Sequence, residues 1–146
     1  MKMTQRDIEE EAIIAMIMMR AKAIGEKNGK DALSFDTDDS VEFSLAPPLV
    51  YHGKDEAGLQ AWFDSWDGPI GGDVQDAKLT IGAHVAYWSG LVNMTGTKTD
   101  GTKVDLWFRQ TLGLVKGEGR WLVAHQHASV SFAMDGSGKA MLDLRP

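Results

Sequence analysis

His125 and His127 flank a single residue in the run Trp121-Leu122-Val123-Ala124-His125-Gln126-His127. A strand has a side-chain period of two, so this spacing puts both imidazoles on one face. Imidazole titrates near neutral pH, and two on one face can serve as general base and general acid. The same pair also reads as two structural histidines bonded to neighbouring elements. A third reading is a pair of zinc or iron ligands, whose third member would be Asp36, Asp39 or Glu42. Asn93 and Gln110 could polarise a carbonyl beside the histidines. Phe43, Trp62, Leu91, Phe108 and Ser129 would complete the walls of a mostly apolar pocket with a few polar groups. Asp38-Asp39 reads either as an acid–base dyad or, more simply, as a turn.

Other chemistries are excluded by what the 146 residues lack. With no cysteine there is no disulfide, thiolate metal site or thiol nucleophile. A net charge of −6 argues against a broad phosphate-binding surface, so nucleic acid is not an expected partner. Gly68-Pro69-Ile70-Gly71-Gly72 fits neither the dinucleotide nor the Walker pattern, and no cofactor is called for. No apolar run approaches the ~18 residues of a membrane span. Arg6, Asp7, Glu9, Glu10 and Glu11 precede the first apolar stretch, unlike a secretory signal, and a cytoplasmic location is the expectation.

The elements that must position these residues follow from periodicity. Thr4 caps a first helix whose apolar stripe runs through Ile8, Ala12, Ile13, Met16, Ile17, Ala23 and Ile24, ended by Asn28-Gly29. A short second helix covers 31–35, a strand 41–45, and a return strand 50–52. Asp55 caps a third helix carrying Leu59, Trp62, Phe63 and Trp66. Strands follow over 73–81, 85–97, 102–115 and 121–131. Helices followed by hairpin-linked strands indicate an α+β fold. The length suits a single domain over 1–146, with a core over 4–132 and a loosely held tail over 133–146. The eight methionines, five within the first 19 residues, read as adaptable packing.

Register decides which face is which. A two-residue turn at Asp100-Gly101 sets Thr95 opposite Leu106 and Asn93 opposite Phe108. A tight turn at Glu118-Gly119 sets Leu112 opposite His125 and Gln110 opposite His127. A three-residue turn at Gly82-Ala83-His84 sets Ile81 opposite Val85. One face then gathers Leu79, Ile81, Val85, Tyr87, Leu91, Phe108, Leu112, Leu114, Trp121 and Val123, with Asn93, Gln110, His125, His127 and Ser129. The other gathers Trp88, Val92, Met94, Asp105, Trp107, Arg109, Thr111, Ala124, Gln126 and Ala128. That second face is too apolar for open solvent, and no helix remains to cover it. A homodimer packed through it, with Trp88, Trp107 and Arg109 in the contact, is the expectation.

The order of elements, the step Thr37-Asp38-Asp39-Ser40-Val41, the stretch from Gly101 to Thr111, and Gly119-Arg120-Trp121 leading to His127 together resemble the nuclear transport factor 2-like superfamily. Within it they resemble SnoaL-like and ketosteroid isomerase-like proteins. The resemblance implies a cystatin-like cone of curved antiparallel sheet with three N-terminal helices enclosing a pocket. It implies activities such as isomerisation, dehydration or cyclisation, though one fold hosts many functions. The ketosteroid isomerase mechanism uses a carboxylate near the end of the first strand. Here that region reads Glu42-Phe43-Ser44, with Phe43 or Ser44 at the equivalent position. The first helix has no Tyr, and the strand expected to carry an oxyanion-hole Asp reads Arg109-Gln110-Thr111. The usual Asp/Tyr set is therefore absent. The expectation is a protein that binds a small, largely apolar organic molecule in the cone, His125 or His127 acting as base if it is an enzyme. The alternative is a non-catalytic dimeric binding or association module.

Overall fold

A computed structural model describes residues 2–146. Met1 lies outside the described residues, and with it one of the methionines read as packing. The chain runs α1 (Gln5–Gly25), α2 (Gly29–Leu33), β1 (Asp36–Phe43), β2 (Tyr51–His52), α3 (Glu56–Asp64), β3 (Trp66–Gly71), β4 (Val74–Ile81), β5 (Val85–Lys98), β6 (Lys103–Gly117) and β7 (Arg120–Ser129). The fold is α+β. Helices pack on one side of a curved, unclosed seven-stranded sheet ordered β2-β1-β7-β6-β5-β3, with β4 pairing the first part of β5. The β1–β7 pairing is parallel, and the other pairings are antiparallel.

Local chemistry starts each helix. Thr4 and Asp7 form a reciprocal capping box on α1. The Asn28 side chain accepts from Asp31 N–H at α2, and the Asp55 side chain from Gly58 N–H at α3. Asn28 therefore opens the second helix, whereas α1 already ends at Gly25. Trp66, expected on the third helix, is the first residue of β3. Pro69 is tolerated there because β3 is an edge strand. Asp38 and Asp39, expected in a turn, lie on β1 and are exposed.

Two cores lie between helices and sheet. Ile13 and Met16 of α1 pack with Ala86, Trp88, Leu112, Leu114, Trp121 and Val123. Phe63, Trp66 and Ile70 form the second, with Ile24, Leu59, Met94 and Val104 against them. Trp121 Nε1–H also donates to Glu9 at 2.6 Å, pinning the start of α1 to β7. Gly90 exists for Trp88: a methyl there would stand 2.7 Å from the indole.

The faces differ from those expected, for three local reasons. At the β5–β6 hairpin the loop has three residues, not two. Lys98 N–H donates to Thr102 O, Gly101 N–H to Lys98 O, and Gly101 adopts φ +88°. A left-handed Gly in third place is the hallmark of the three-residue hairpin. Thr95 thus pairs with Asp105 and Asn93 with Trp107, one residue from the expected register. At β4–β5, Ile81 pairs with Ala86 rather than Val85. The Glu118-Gly119 turn is tight as expected, with both residues at positive φ and Gly117 paired to Arg120. A bulge then intervenes: Leu114 pairs with Val123 but Gly113 with His125, leaving Ala124 as the extra residue.

Each one-residue shift exchanges faces. The helix-covered face carries Trp88, Val92, Met94, Phe108, Gln110, Leu112, Leu114, Val123, Gln126 and Ala128. The outer face carries Tyr87, Leu91, Asn93, Trp107, Arg109, Thr111, His125, His127 and Ser129. Trp88, expected at a dimer contact, is a core residue only 7 % exposed. The tail doubles back: Ala133 N–H donates to Lys139 O, Met141 N–H to Ser131 O, and Arg145 pairs with Asp105 at 2.9 Å.

Candidate functional site

On the helix-covered side a group of ionisable residues gathers around Arg20. Arg20 lies on the core side of α1, one turn beyond Met16, and is 7 % exposed. Its Nε donates to Asp36 Oδ1 at 3.0 Å, and Asp36 is 4 % exposed. Asp36 opens β1, which runs parallel to β7 and carries Glu42 to a position paired with Gln126. Gln126 in turn pairs with Leu112, a core residue, so Glu42 and Gln126 face inward.

Glu42 is half-buried, with no hydrogen-bond partner of its own among the described residues. Burial pushes its carboxyl above the ordinary glutamate value of 4.5; the field of Arg20 opposes this and that of Asp36 adds to it. Burial likewise pushes Asp36 upward, with Arg20 pulling against it. Two carboxylates thus share one guanidinium, and Arg20 is bonded to Asp36. Glu42 is the carboxyl left without a bonded cation. A carboxyl in that setting holds its proton closer to neutrality, which is what a general acid or base requires. The nearby inward strand positions are Trp88, Val92, Phe108 and Leu112, with the amides of Gln110 and Gln126 among them.

The residues singled out from the sequence are divided by the sheet. Phe108 and Gln110 face inward. Trp62 lies on α3, 39 % exposed, its ring 5.5 Å from those of Phe63 and Trp66. Phe43, Leu91, Asn93, His125, His127 and Ser129 lie on the outer face. His125 Nδ1 lies 2.8 Å from the Val41 carbonyl, to which its N–H donates, and the Phe43 ring stands edge-on to both imidazoles at 4.8 and 5.4 Å. The histidines do share a face, but the Ala124 bulge turns that face outward. Asn93 Nδ2 donates to Asp105 and to the Leu106 carbonyl, so its amide is engaged on the outer side too.

The sequence offers Glu42 as a third metal ligand and as the neighbour of Phe43 and Ser44, the positions matched to the ketosteroid isomerase carboxylate; it does not single out Arg20. The signals were present: an Arg on the core side of an otherwise apolar helical stripe, and a Glu alternating with Val41 and Phe43. Among the described residues no group of three or more His, Asp or Glu is placed to hold a metal ion. None of the helices described is long and apolar enough to cross a membrane.

Open clefts lie elsewhere among the described residues. One of about 190 Å³ runs on the outer face between Leu91, Trp107, Ser129 and the returning tail at Met141 and Leu144. One of about 440 Å³ opens beside the start of β1, between Asp36, Thr37, Lys54 and Arg120.

Comparison with solved structures identifies the architecture. An NTF2-like protein of unknown function from Pseudomonas putida superposes with a TM-score of 0.84 at 23 % identity, covering 99 % of this chain and 100 % of that one. A protein provisionally titled a scytalone dehydratase, from Novosphingobium aromaticivorans, gives 0.76 at 15 % identity, covering 91 % of each chain. The association domain of C. elegans CaMKII gives 0.66 at 16 % identity, covering 84 % of this chain and 95 % of that one. At these identities the likeness is one of fold. Among curated proteins none matches the chain in sequence. The family model of the SnoaL-like domain matches residues 13–133, from the first core residue of α1 to just beyond β7, and the chain belongs to that family.

Proposed function

We propose that the protein binds a small, largely apolar organic molecule on the inner face of the sheet, and that Glu42 moves a proton on it. The reaction class is isomerisation, dehydration or cyclisation. The observation that carries this reading is Glu42 itself, a carboxyl aimed inward, half-buried and without a bonded cation. Evolution tolerates such a cost at sites of function more readily than in a purely structural core. In this reading Gln110 and Gln126 orient the ligand, and Phe108 and Val92 contact its apolar body. The Arg20–Asp36 pair holds α1 and β1 in register beneath it.

Binding is tested by thermal shift with a panel of cyclic ketones, phenols and alicyclic alcohols. A ligand held at a hundred times its Kd should stabilise the fold by ~2.7 kcal/mol, a rise of several degrees in Tm. The rise should vanish in Phe108→Asp and persist in His127→Ala. A panel that leaves Tm unmoved, or a shift lost in His127→Ala alone, would remove the inner face as the site.

The second reading, a dimeric association module, is favoured by the outer face. Tyr87 is 49 % exposed, and Trp107, Phe43 and His127 lie on the same side. We infer a homodimer through this face, with Trp107 and Arg109 in the contact. The two readings are compatible, because the faces are opposite. Trp107→Asp should halve the particle mass measured by light scattering and leave ligand-induced shifts in place. An unaltered mass would exclude Trp107 from any interface.

A further inference from the structure

Between Ala12 and Ala21, α1 is apolar on the side that faces away from the sheet as well as on the side that faces it, its one charged residue there, Arg20, being buried. Met18 is 67 % exposed, Met19 58 %, and Ile14 43 %, although the methionines were expected to be packed. Ala15 and Ala21 are exposed beside them. A helical stretch apolar all round ordinarily has both sides covered.

Charges fix what would cover it. Glu11, Ala15, Met18 and Lys22 follow one another at intervals of four, three and four residues, and so lie along one helix face. That spacing reads the same in both directions. A second α1 laid antiparallel across the first about a twofold axis therefore sets Glu11 against the partner's Lys22, twice. It sets Ala15 against the partner's Met18, also twice, with Ile14 and Met19 flanking the small-against-large contacts. The alternating three- and four-residue spacing is that of helices crossing at about 20°. Both charges are available for this. Glu11 has no ion pair among the described residues, and Lys22 has only a loose one, 3.8 Å from Glu26, which is itself exposed.

We propose that a second copy of this chain docks on the outer side of α1, by an antiparallel α1–α1 contact with Glu11–Lys22 pairs at both ends. This surface is separate from the outer sheet face. A molecule using both would form a tetramer, and one using only α1 a dimer.

Sedimentation velocity of the full chain over a range of concentrations tests it. Met18→Glu is expected to halve the assembly mass, and the exposure of Met18 keeps this change from disturbing the core. Glu11→Lys and Lys22→Glu singly are each expected to weaken association about tenfold, since each puts two like-charge pairs in contact. The double variant Glu11→Lys/Lys22→Glu is expected to return to the wild-type mass and affinity. A partner of any other kind would not be rescued by the double reversal. A wild-type monomer at all concentrations, an unchanged mass in Met18→Glu, or a double variant weaker than either single would overturn the proposal. Circular dichroism melts of each variant confirm that every comparison is between folded chains.

Discussion

Replacing Glu42 by glutamine is expected to lower proton-transfer turnover by roughly 10²–10⁴-fold, the usual contribution of a positioned general base. The assay is α-proton exchange into added cyclic ketones in deuterated buffer, followed by NMR. The same substitution is expected to raise stability, and the sign follows from the direction of the shift. The folded-state carboxyl binds its proton more tightly than the ordinary value of 4.5, because burial disfavours the ionised form. At pH below that value Glu42 is protonated in folded and unfolded chains alike and adds no penalty. As pH rises from there through the folded pKa, the unfolded chain ionises freely and the folded one at a cost, so stability falls. Glutamine removes the penalty. Glu42→Gln should therefore melt a few degrees above wild type at pH 7, with the gap closing toward pH 4. Turnover in the wild type should climb with pH and reach half its plateau above pH 4.5. A variant that melts lower at pH 7, or exchanges protons as fast as wild type, would contradict the assignment. Loss of activity accompanied by a gain in stability is the combination expected of a functional residue and not of a core one.

Arg20→Met is expected to cost about 3–5 kcal/mol, because it leaves the Asp36 carboxyl buried without its cation. For a chain of this length that is a fall in Tm on the order of 10 °C or more. Methionine nearly matches the aliphatic length of arginine, so lost packing contributes little and the effect isolates the ion pair. The loss should be greatest at pH 7 and shrink on acidification. Without Arg20 the folded Asp36 holds its proton to still higher pH, and a neutral carboxyl is cheap to bury. The double change Arg20→Met/Asp36→Leu should recover most of the stability, as when buried pairs are replaced by apolar groups. Equal destabilisation by the single and double changes would show that the pair is not a coupled unit. Arg20→Met also removes the field that draws Glu42 down, so any surviving turnover should rise with pH along a curve displaced upward from that of wild type.

The first helix was legible because Thr4, Asp7 and the Ile13–Met16 spacing are local signals, read within a few turns. The long strands were legible from alternation, and the tight Glu118-Gly119 turn from its residue types. β3 was not, because Gly68 and Pro69 look like punctuation until an edge strand accommodates them. The histidine spacing correctly put His125 and His127 on one face. Which face it was depended on Ala124 bulging out of β7, just as the face of Trp88 and Asn93 depended on whether the loop before Thr102 held two residues or three.

By itself the sequence determined the order of the elements other than β3, the α+β class, the family resemblance and the two-faced character of the strands. These are properties of neighbours along the chain, set by side-chain period and turn chemistry. The tertiary structure decided which residues look inward. In a sheet that assignment is cumulative: each hairpin or bulge passes its register to the next strand, and a shift of a single residue inverts everything beyond it. The hairpin shift placed Trp88 in the core, and the bulge placed the histidines outside. With the parallel pairing of β1 to β7, they set Glu42, Arg20 and Asp36 together on the inner side, although Arg20 and Asp36 are 16 positions apart and nothing in their spacing joins them.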